Sequence, residues 1–287
     1  MSDQVLTFEQ KFDAFRGQVE DCLAKQVFGQ AVFEGAKAFD QALGYALDGG
    51  KRIRPVLVMA TCEAVGGQAA RALPTAVAVE LFHAYSLVHD DLPAMDDDAV
   101  RRGQPAVHAR FGEATAILVG DALLTLGFEW IATRQIEYSS SERVLAVLGV
   151  LGRALGASGM VGGQYLDLKR TFKNAAQLQA MQDLKTGALL SAACQAGALL
   201  GGGTPQMVEA ASRFGLLLGQ TYQLLDDLID KEQDVEGNST MLNFFSEGEL
   251  KVRAERLSAK ACQLLEPLGK RGMWLESLAK TLVFRKT

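Results

Sequence analysis

Short glycine and proline marks at Gly49-Gly50, Gly66-Gly67, Gly103-Gln104-Pro105, Gly162-Gly163, Gly201-Gly202-Gly203 and Gly237-Asn238 cut an otherwise continuous helical periodicity. The intervals run roughly 12 to 25 residues, the length of helices rather than strands, and predict about ten helices packed as one bundle. Composition points the same way. Aromatics are 7% and prolines number 6, which disfavours a sheet protein of short strands and tight turns and predicts an all-α fold. No low-complexity linker or charge block divides the 287 residues, so a single domain spanning 1–287 is expected.

Two aspartate-rich clusters, Asp90-Asp91-Leu92-Pro93-Ala94-Met95-Asp96 and Asp226-Asp227-Leu228-Ile229-Asp230, each close an otherwise apolar stretch. Carboxylates crowded in this way repel one another unless a hard divalent cation such as Mg2+ neutralises them. A Mg2+ ion held by a few carboxylates keeps open positions that phosphate oxygens fill, so the pattern reads as a diphosphate clamp. Pro74 is placed to open a helix running to about Asp91, on which Val79, His83, Ser86 and Asp90 share one stripe. A second helix, from about Ser212 to Asp230, aligns Gly219, Gln223, Asp226, Asp227 and Asp230, with Asp226 and Asp230 at i and i+4. Pro93 must bend the chain after Asp91 and return Asp96 toward Asp90. Apolar residues beneath two such clusters would suit a ligand with a charged head and a greasy tail.

Three cations, Lys51, Arg52 and Arg54, sit on the turn Gly49-Gly50-Lys51-Arg52-Ile53-Arg54-Pro55 just before an apolar helix. Glycines allow close backbone approach to an anion, and arginine offers planar bidentate contacts to phosphate. Lys185-Thr186-Gly187 adds a cation and a hydroxyl at the start of an uncharged run over 186–208. That run is long enough to cross a membrane, but Pro205, Gln195, Gln206 and the glycine triplet make it a buried helix ending at Gly201. His83, His89 and His108 lack zinc-ligand spacing, and the four scattered cysteines read as free thiols in a reducing cytosol. Net charge is -5, which gives no nucleic-acid or anionic-membrane surface, and the N-terminus lacks a signal-peptide pattern. A cytoplasmic protein is expected.

Taken in order, GGKRIRP at 49–55, HAYSLVHDDLPAMDDDAVRRGQPAVH at 83–108, FGEATAILVGDALL at 111–124, GGQYLDL at 162–168, KTGALL at 185–190 and YQLLDDLID at 222–230 resemble the trans-isoprenyl diphosphate synthases. The likeness is greatest to short-chain bacterial-type farnesyl diphosphate synthases. It implies a homodimeric bundle of mostly antiparallel helices around a central apolar cavity. The implied activity joins isopentenyl diphosphate to an allylic diphosphate with three Mg2+ ions. The implied metal carboxylates are Asp90, Asp91, Asp96, Asp226, Asp227 and Asp230, with Asp90, Asp96 and Asp226 most directly on metal. Arg101 and Lys185 would hold the allylic diphosphate, and Lys51, Arg54, His83 and Arg102 the isopentenyl diphosphate. Thr186, Gln223 and the Lys185 carbonyl would steady the allylic cation. Tyr85 followed by Ser86 would limit the product to fifteen carbons, Tyr85 standing roughly 7 to 8 Å below Asp90 by the helical rise.

The chain departs from the family pattern after Asp230, where a shortened segment carries Asn238 in place of a lysine, with Lys231 a candidate substitute. A geranylgeranyl diphosphate synthase shares every motif. A class I terpene cyclase would not need the basic turn or His83, and a non-catalytic partner subunit would be expected to lose one acidic cluster.

Overall fold

A computed structural model describes residues 7–27, 37–229 and 240–284. The described residues form thirteen α-helices and one two-stranded ribbon. In order these are α1 (Phe8–Cys22), α2 (Lys37–Leu47), α3 (Ile53–Ala64), α4 (Leu73–Asp90), β1 (Val100–Arg101), β2 (Gln104–Pro105), α5 (Val107–Phe111) and α6 (Glu113–Arg134). There follow α7 (Ser141–Leu155), α8 (Met160–Lys169), α9 (Ala175–Gln182), α10 (Ala188–Leu200), α11 (Pro205–Ile229), α12 (Glu247–Leu264) and α13 (Met273–Phe284). The all-α expectation holds. The helix predicted from Ser212 begins earlier, at Pro205, because a proline fits the first turn as well there as Pro74 does in α4.

The chain divides into two compact units, residues 1–56 with 73–144, and residues 57–72 with 145–287. In the first, α4 is apolar nearly all round and buried nearly all round, with Val77, Leu81 and Phe82 fully enclosed. Each such side chain contributes about 1.5 to 3 kcal/mol on burial. It packs against α6 through two glycine notches. A Cβ on Gly120 would stand 2.0 Å from His89 Nε2, and one on Gly127 would stand 2.4 Å from Phe82, whose ring lies 4.8 Å from that of Phe128. Because His89 meets Gly120 while Phe82 meets Gly127, the two helices run antiparallel.

In the second unit α10 and α11 are antiparallel by the same logic, Gly215 lying on Leu190 and Gly219 on Gly187. Ser258 Oγ donates to the Ala279 carbonyl, joining α12 to α13. The α3 segment runs parallel to α10, Gly197 resting on Val58 and Gly201 on Cys62. The uncharged run forms α10 and stops at Gly201, as its glycines predict. A core of Leu178, Met181, Leu224, Leu228, Met241 and Leu250 seats the end of α11. Two helical stretches, Glu113–Glu137 and Ser141–Lys169, are long and apolar enough to cross a membrane, with 39% of each apolar window buried in the fold.

Candidate active site

The loop after α4 behaves as Pro93 dictates. Asp96 N–H donates to the Asp90 carbonyl at 2.9 Å and Met95 N–H to the Leu92 carbonyl at 2.8 Å, so the chain doubles back and returns Asp96 to the end of α4. Asp91 is turned inward, 2% exposed, and accepts from Arg101 Nε at 2.9 Å and from Arg101 Nη2. Burial pushes its carboxyl above the ordinary value, and the Arg101 guanidinium opposes that shift. Arg101 Nη2 also donates to Asp98 Oδ2 at 2.9 Å, so this cation is shared by two carboxylates of the same loop.

The ribbon of β1 and β2 turns on Arg102 (φ 54) and Gly103 (φ 74), two successive left-handed residues, as a two-residue hairpin of primed type requires. Consecutive arginines therefore diverge. Arg102 Nη1 donates to the Asp48 carbonyl at 2.9 Å and the Gly49 carbonyl at 3.0 Å. Gly50, at φ 98, lies so close that an added Cβ would meet the guanidinium at 2.9 Å. A cavity of about 200 Å³ lies among Tyr45, Gly49, Leu87, Asp91, Arg101 and Arg102.

The basic turn splits its three cations. Lys51 is exposed, and Arg54 Nη1 lies 3.2 Å from His83 Nε2. Arg52, expected among the anion-binding cations of the turn, is instead buried, donating to Glu80 Oε1 at 2.5 Å and the Leu47 carbonyl at 2.5 Å. A carboxylate inside an apolar helix demands such a partner. Burial, and after it the charge of Arg54, Arg102, Arg52 and Arg101, hold the His83 imidazole well below its usual range, so it stays neutral and its Nε2 accepts from Arg54. Below Asp90, Tyr85 is 5% exposed with its ring edge-on to His89 at 5.9 Å. Burial, and the charge of Asp90, push its phenol up to about 12. Ser86 Oγ donates to the His83 carbonyl at 2.8 Å.

In the second unit Lys185 and Thr186 lie on a π-helical turn, Asp183–Gly187, between α9 and α10. Lys185 Nζ reaches Asp167 Oδ2 on α8 at 2.6 Å. Thr186 Oγ1 donates to Gln223 Oε1 at 3.3 Å, and Gln223 Nε2 donates to Asp227 Oδ1 at 3.3 Å. Asp227 Oδ2 accepts the Met241 N–H at 2.8 Å. Asp227 is 8% exposed, and burial raises its carboxyl against these hydrogen bonds. Asp226 is half-buried one residue earlier on α11. Asp230, Lys231 and Asn238 lie outside the described residues. Among the described residues, no three His, Cys, Asp or Glu side chains gather closely enough to form a metal cage by themselves.

Residues 36–240 match the family model for polyprenyl synthetases. The chain belongs to the polyprenyl synthetase family. At the level its members share, this polyprenyl synthetase is a prenyltransferase that makes trans-prenyl diphosphates. It is 43% identical over 217 residues to a geranylgeranyl diphosphate synthase of Cyanophora paradoxa, covering 74% of this chain and 70% of that one. It is 39% identical over 252 residues to a dimethylallyltranstransferase of Fischerella ambigua, covering 83% of this chain and 72% of that one. Among solved structures it resembles an FPP/GFPP synthase from Zymomonas mobilis at a TM-score of 0.89 and 33% identity, covering 96% and 98% of the two chains. A geranyltransferase from Legionella pneumophila gives 0.87 and 34%, covering 97% and 96%.

Several residues that shape this polyprenyl synthetase's site were not singled out from sequence. Glu80 had a signal, being the one acidic residue inside the apolar stretch of α4. Asp167 stood within GGQYLDL at 162–168, a segment that carried the family resemblance without any role assigned to its aspartate. Gly163 packs closely, since a Cβ there would stand 2.2 Å from Lys185 N, and the same close approach places Asp167 beside Lys185.

Proposed function

We propose that this enzyme condenses isopentenyl diphosphate with dimethylallyl and geranyl diphosphate to give farnesyl diphosphate. The buried ring of Tyr85 on α4, five residues before Asp90, carries the product assignment. The helical rise puts it about 7.5 Å along the axis from Asp90. A second reading, geranylgeranyl diphosphate as product, is favoured by the name of the Cyanophora relative.

The donor set fits Mg2+. It consists of carboxylate oxygens, the hard ligands this ion prefers, and the loop fold returns Asp96 to Asp90. Asp90, Asp91, Asp96, Asp226, Asp227 and Asp230 are the proposed ligands. Three bound Mg2+ ions would offset the charge that builds on the departing diphosphate.

Arg101 and Lys185 are proposed to bind the allylic diphosphate, which requires Arg101 to share its charge with Asp91 and Asp98, and Lys185 to share its charge with Asp167. Lys51, Arg54, His83 and Arg102 are proposed to bind isopentenyl diphosphate, and a neutral His83 can pass a hydrogen bond from Arg54 toward it. The allylic C–O bond breaks with its electron pair leaving on the diphosphate. The double bond of isopentenyl diphosphate then attacks the allylic carbon, and the proton lost from the new cation goes to the released diphosphate. The Thr186 and Gln223 oxygens and the Lys185 carbonyl stabilise the allylic cation while it lasts.

We further take 1–287 as one domain, since the chain passes between the two units three times. We take the enzyme as a homodimer that uses the exposed Ile117 and Leu118 of α6, 46% and 57% accessible. The test is chromatography of dephosphorylated products from isopentenyl diphosphate with dimethylallyl, geranyl or farnesyl diphosphate. Farnesol from the first two, and geranylgeraniol or longer alcohols from Tyr85→Ala, are expected. Geranylgeraniol from the unaltered enzyme would overturn the farnesyl assignment and leave the chemistry intact.

A further inference from the structure

We propose that Asp183 is a positioning residue for this reaction, holding the π-helical turn Asp183–Gly187 so that Lys185 and Thr186 stand where the allylic diphosphate needs them. Its carboxylate accepts from Gln179 Nε2 on α9 at 2.9 Å, and from Gln220 Nε2 on α11 at 2.8 Å to one oxygen and 3.1 Å to the other. The group is partly buried, and burial raises its carboxyl while both amides oppose that shift. A partly desolvated carboxylate held by two side-chain amides is costly to keep without a task, and here one amide comes from α9, which runs into the turn, and the other from α11, which packs against it.

The turn needs this hold. A π-turn adds a residue to the helical ladder and recurs at functional sites, because it redirects successive side chains. Lys185 accordingly goes to Asp167 on α8 and Thr186 to Gln223 on α11. α11 grips the turn along one stripe. Leu216 meets Gly187, Gly219 lies so close under it that an added Cβ would stand 3.0 Å from Gly187 Cα, Gln220 holds Asp183 and Gln223 holds Thr186. On its other side Asp183 borders an open groove of about 750 Å³ beside Arg153, Ala188 and Ser191. Packing does not fix the turn from that side, and the Asp183 network supplies the missing constraint.

This proposal rests on reading Lys185 and Thr186 as site residues. Full-length Asp183→Ala, Asp183→Asn, Gln220→Leu and Lys185→Ala would be assayed with Mg2+, isopentenyl diphosphate and geranyl diphosphate, and melted in parallel. Asp183→Ala and Gln220→Leu are expected to raise KM for geranyl diphosphate about tenfold and leave KM for isopentenyl diphosphate unchanged. Asp183→Asn, which keeps an acceptor oxygen, should restore much of the loss. Unchanged kinetics in Asp183→Ala, or a lower kcat with both KM values intact as expected of a smaller folded fraction, would overturn the proposal. If Asp183→Ala does not fold, Gln220→Leu decides by the same criteria. Lys185→Ala without effect on KM for geranyl diphosphate would overturn the underlying site reading and the proposal with it. An effect in Lys185→Ala alone would overturn the positioning role and leave the site reading standing.

Discussion

Replacing Gly163 by alanine puts a methyl group into a gap that does not exist. The new Cβ would stand 2.2 Å from Lys185 N, 2.6 Å from Lys185 Cα and 2.8 Å from the Leu184 carbonyl carbon, where ordinary contact begins at 3.4 Å. All three atoms are backbone, so no rotamer change relieves the clash, and α8 and the π-helical turn must part by roughly 1 Å. Overpacking of this kind costs about 1 to 3 kcal/mol of stability. The displaced residues are those proposed to hold the leaving diphosphate and steady the cation, and a 1 Å misplacement costs up to about a hundredfold in rate. Turnover of isopentenyl and geranyl diphosphate, measured beside thermal unfolding, should show both losses, with the rate loss persisting far below the melting temperature. Gly149→Ala on α7, where a Cβ meets nothing within 4 Å, is the matched control and should stabilise by about 0.5 to 1 kcal/mol. Wild-type kcat and melting temperature in Gly163→Ala would refute the argument that this contact sets the position of Lys185.

Glu80→Gln leaves the buried Arg52 guanidinium with only the half-exposed Glu20 carboxylate, 4.0 Å away, and should cost about 3 to 5 kcal/mol in denaturant unfolding; a loss under about 1 kcal/mol would show that the pair is dispensable. His83 is neutral when folded, whereas the unfolded chain binds its proton below about pH 6.5, so unfolding takes up a proton there and stability falls as pH falls, by up to about 1.4 kcal/mol per unit. His83→Asn should flatten that acid limb, whatever pH-independent change the substitution brings, and an unaltered limb would contradict the assignment. Asp90→Ala and Asp226→Ala should each lower kcat by orders of magnitude at saturating Mg2+, and near-normal turnover in either would end the two-cluster mechanism.

What could be read from sequence was mostly what lies close along the chain. Pro74 marked the start of α4 within a residue, Pro93 foretold the return of Asp96, and the stripe carrying Gln223 to Asp226 is a helical stripe in fact. Arg54 and His83 were assigned to one binding set by resemblance, and their direct contact at 3.2 Å was not foreseen. Pairings between distant segments were not legible. Arg52 with Glu80, Lys185 with Asp167 and Asp183 with Gln220 are separated by 28, 18 and 37 residues, and one sequence supplies residue types without saying which of many carboxylates answers which cation. The π-helical turn was not foreseen either, since its weak helix formers, Asp183, Thr186 and Gly187, do not say whether a helix stops, bends or takes in an extra residue. Nor was the hairpin, because an arginine is not the residue that ordinarily takes the first left-handed position of a primed turn.

The glycine notches between α4 and α6 have a further meaning for Tyr85. Phe82 and His89 each fill a notch, at Gly127 and Gly120, two helical turns apart, and Tyr85 lies between them. Two keys in two wards prevent α4 from either sliding or rolling against α6, so the stretch of helix that carries Tyr85 cannot give way under a growing chain. A stop mounted on such a stretch measures as a ruler does, by the volume of one side chain, and a mutation that loosened either key would turn the ruler into a spring and blur a single product into several.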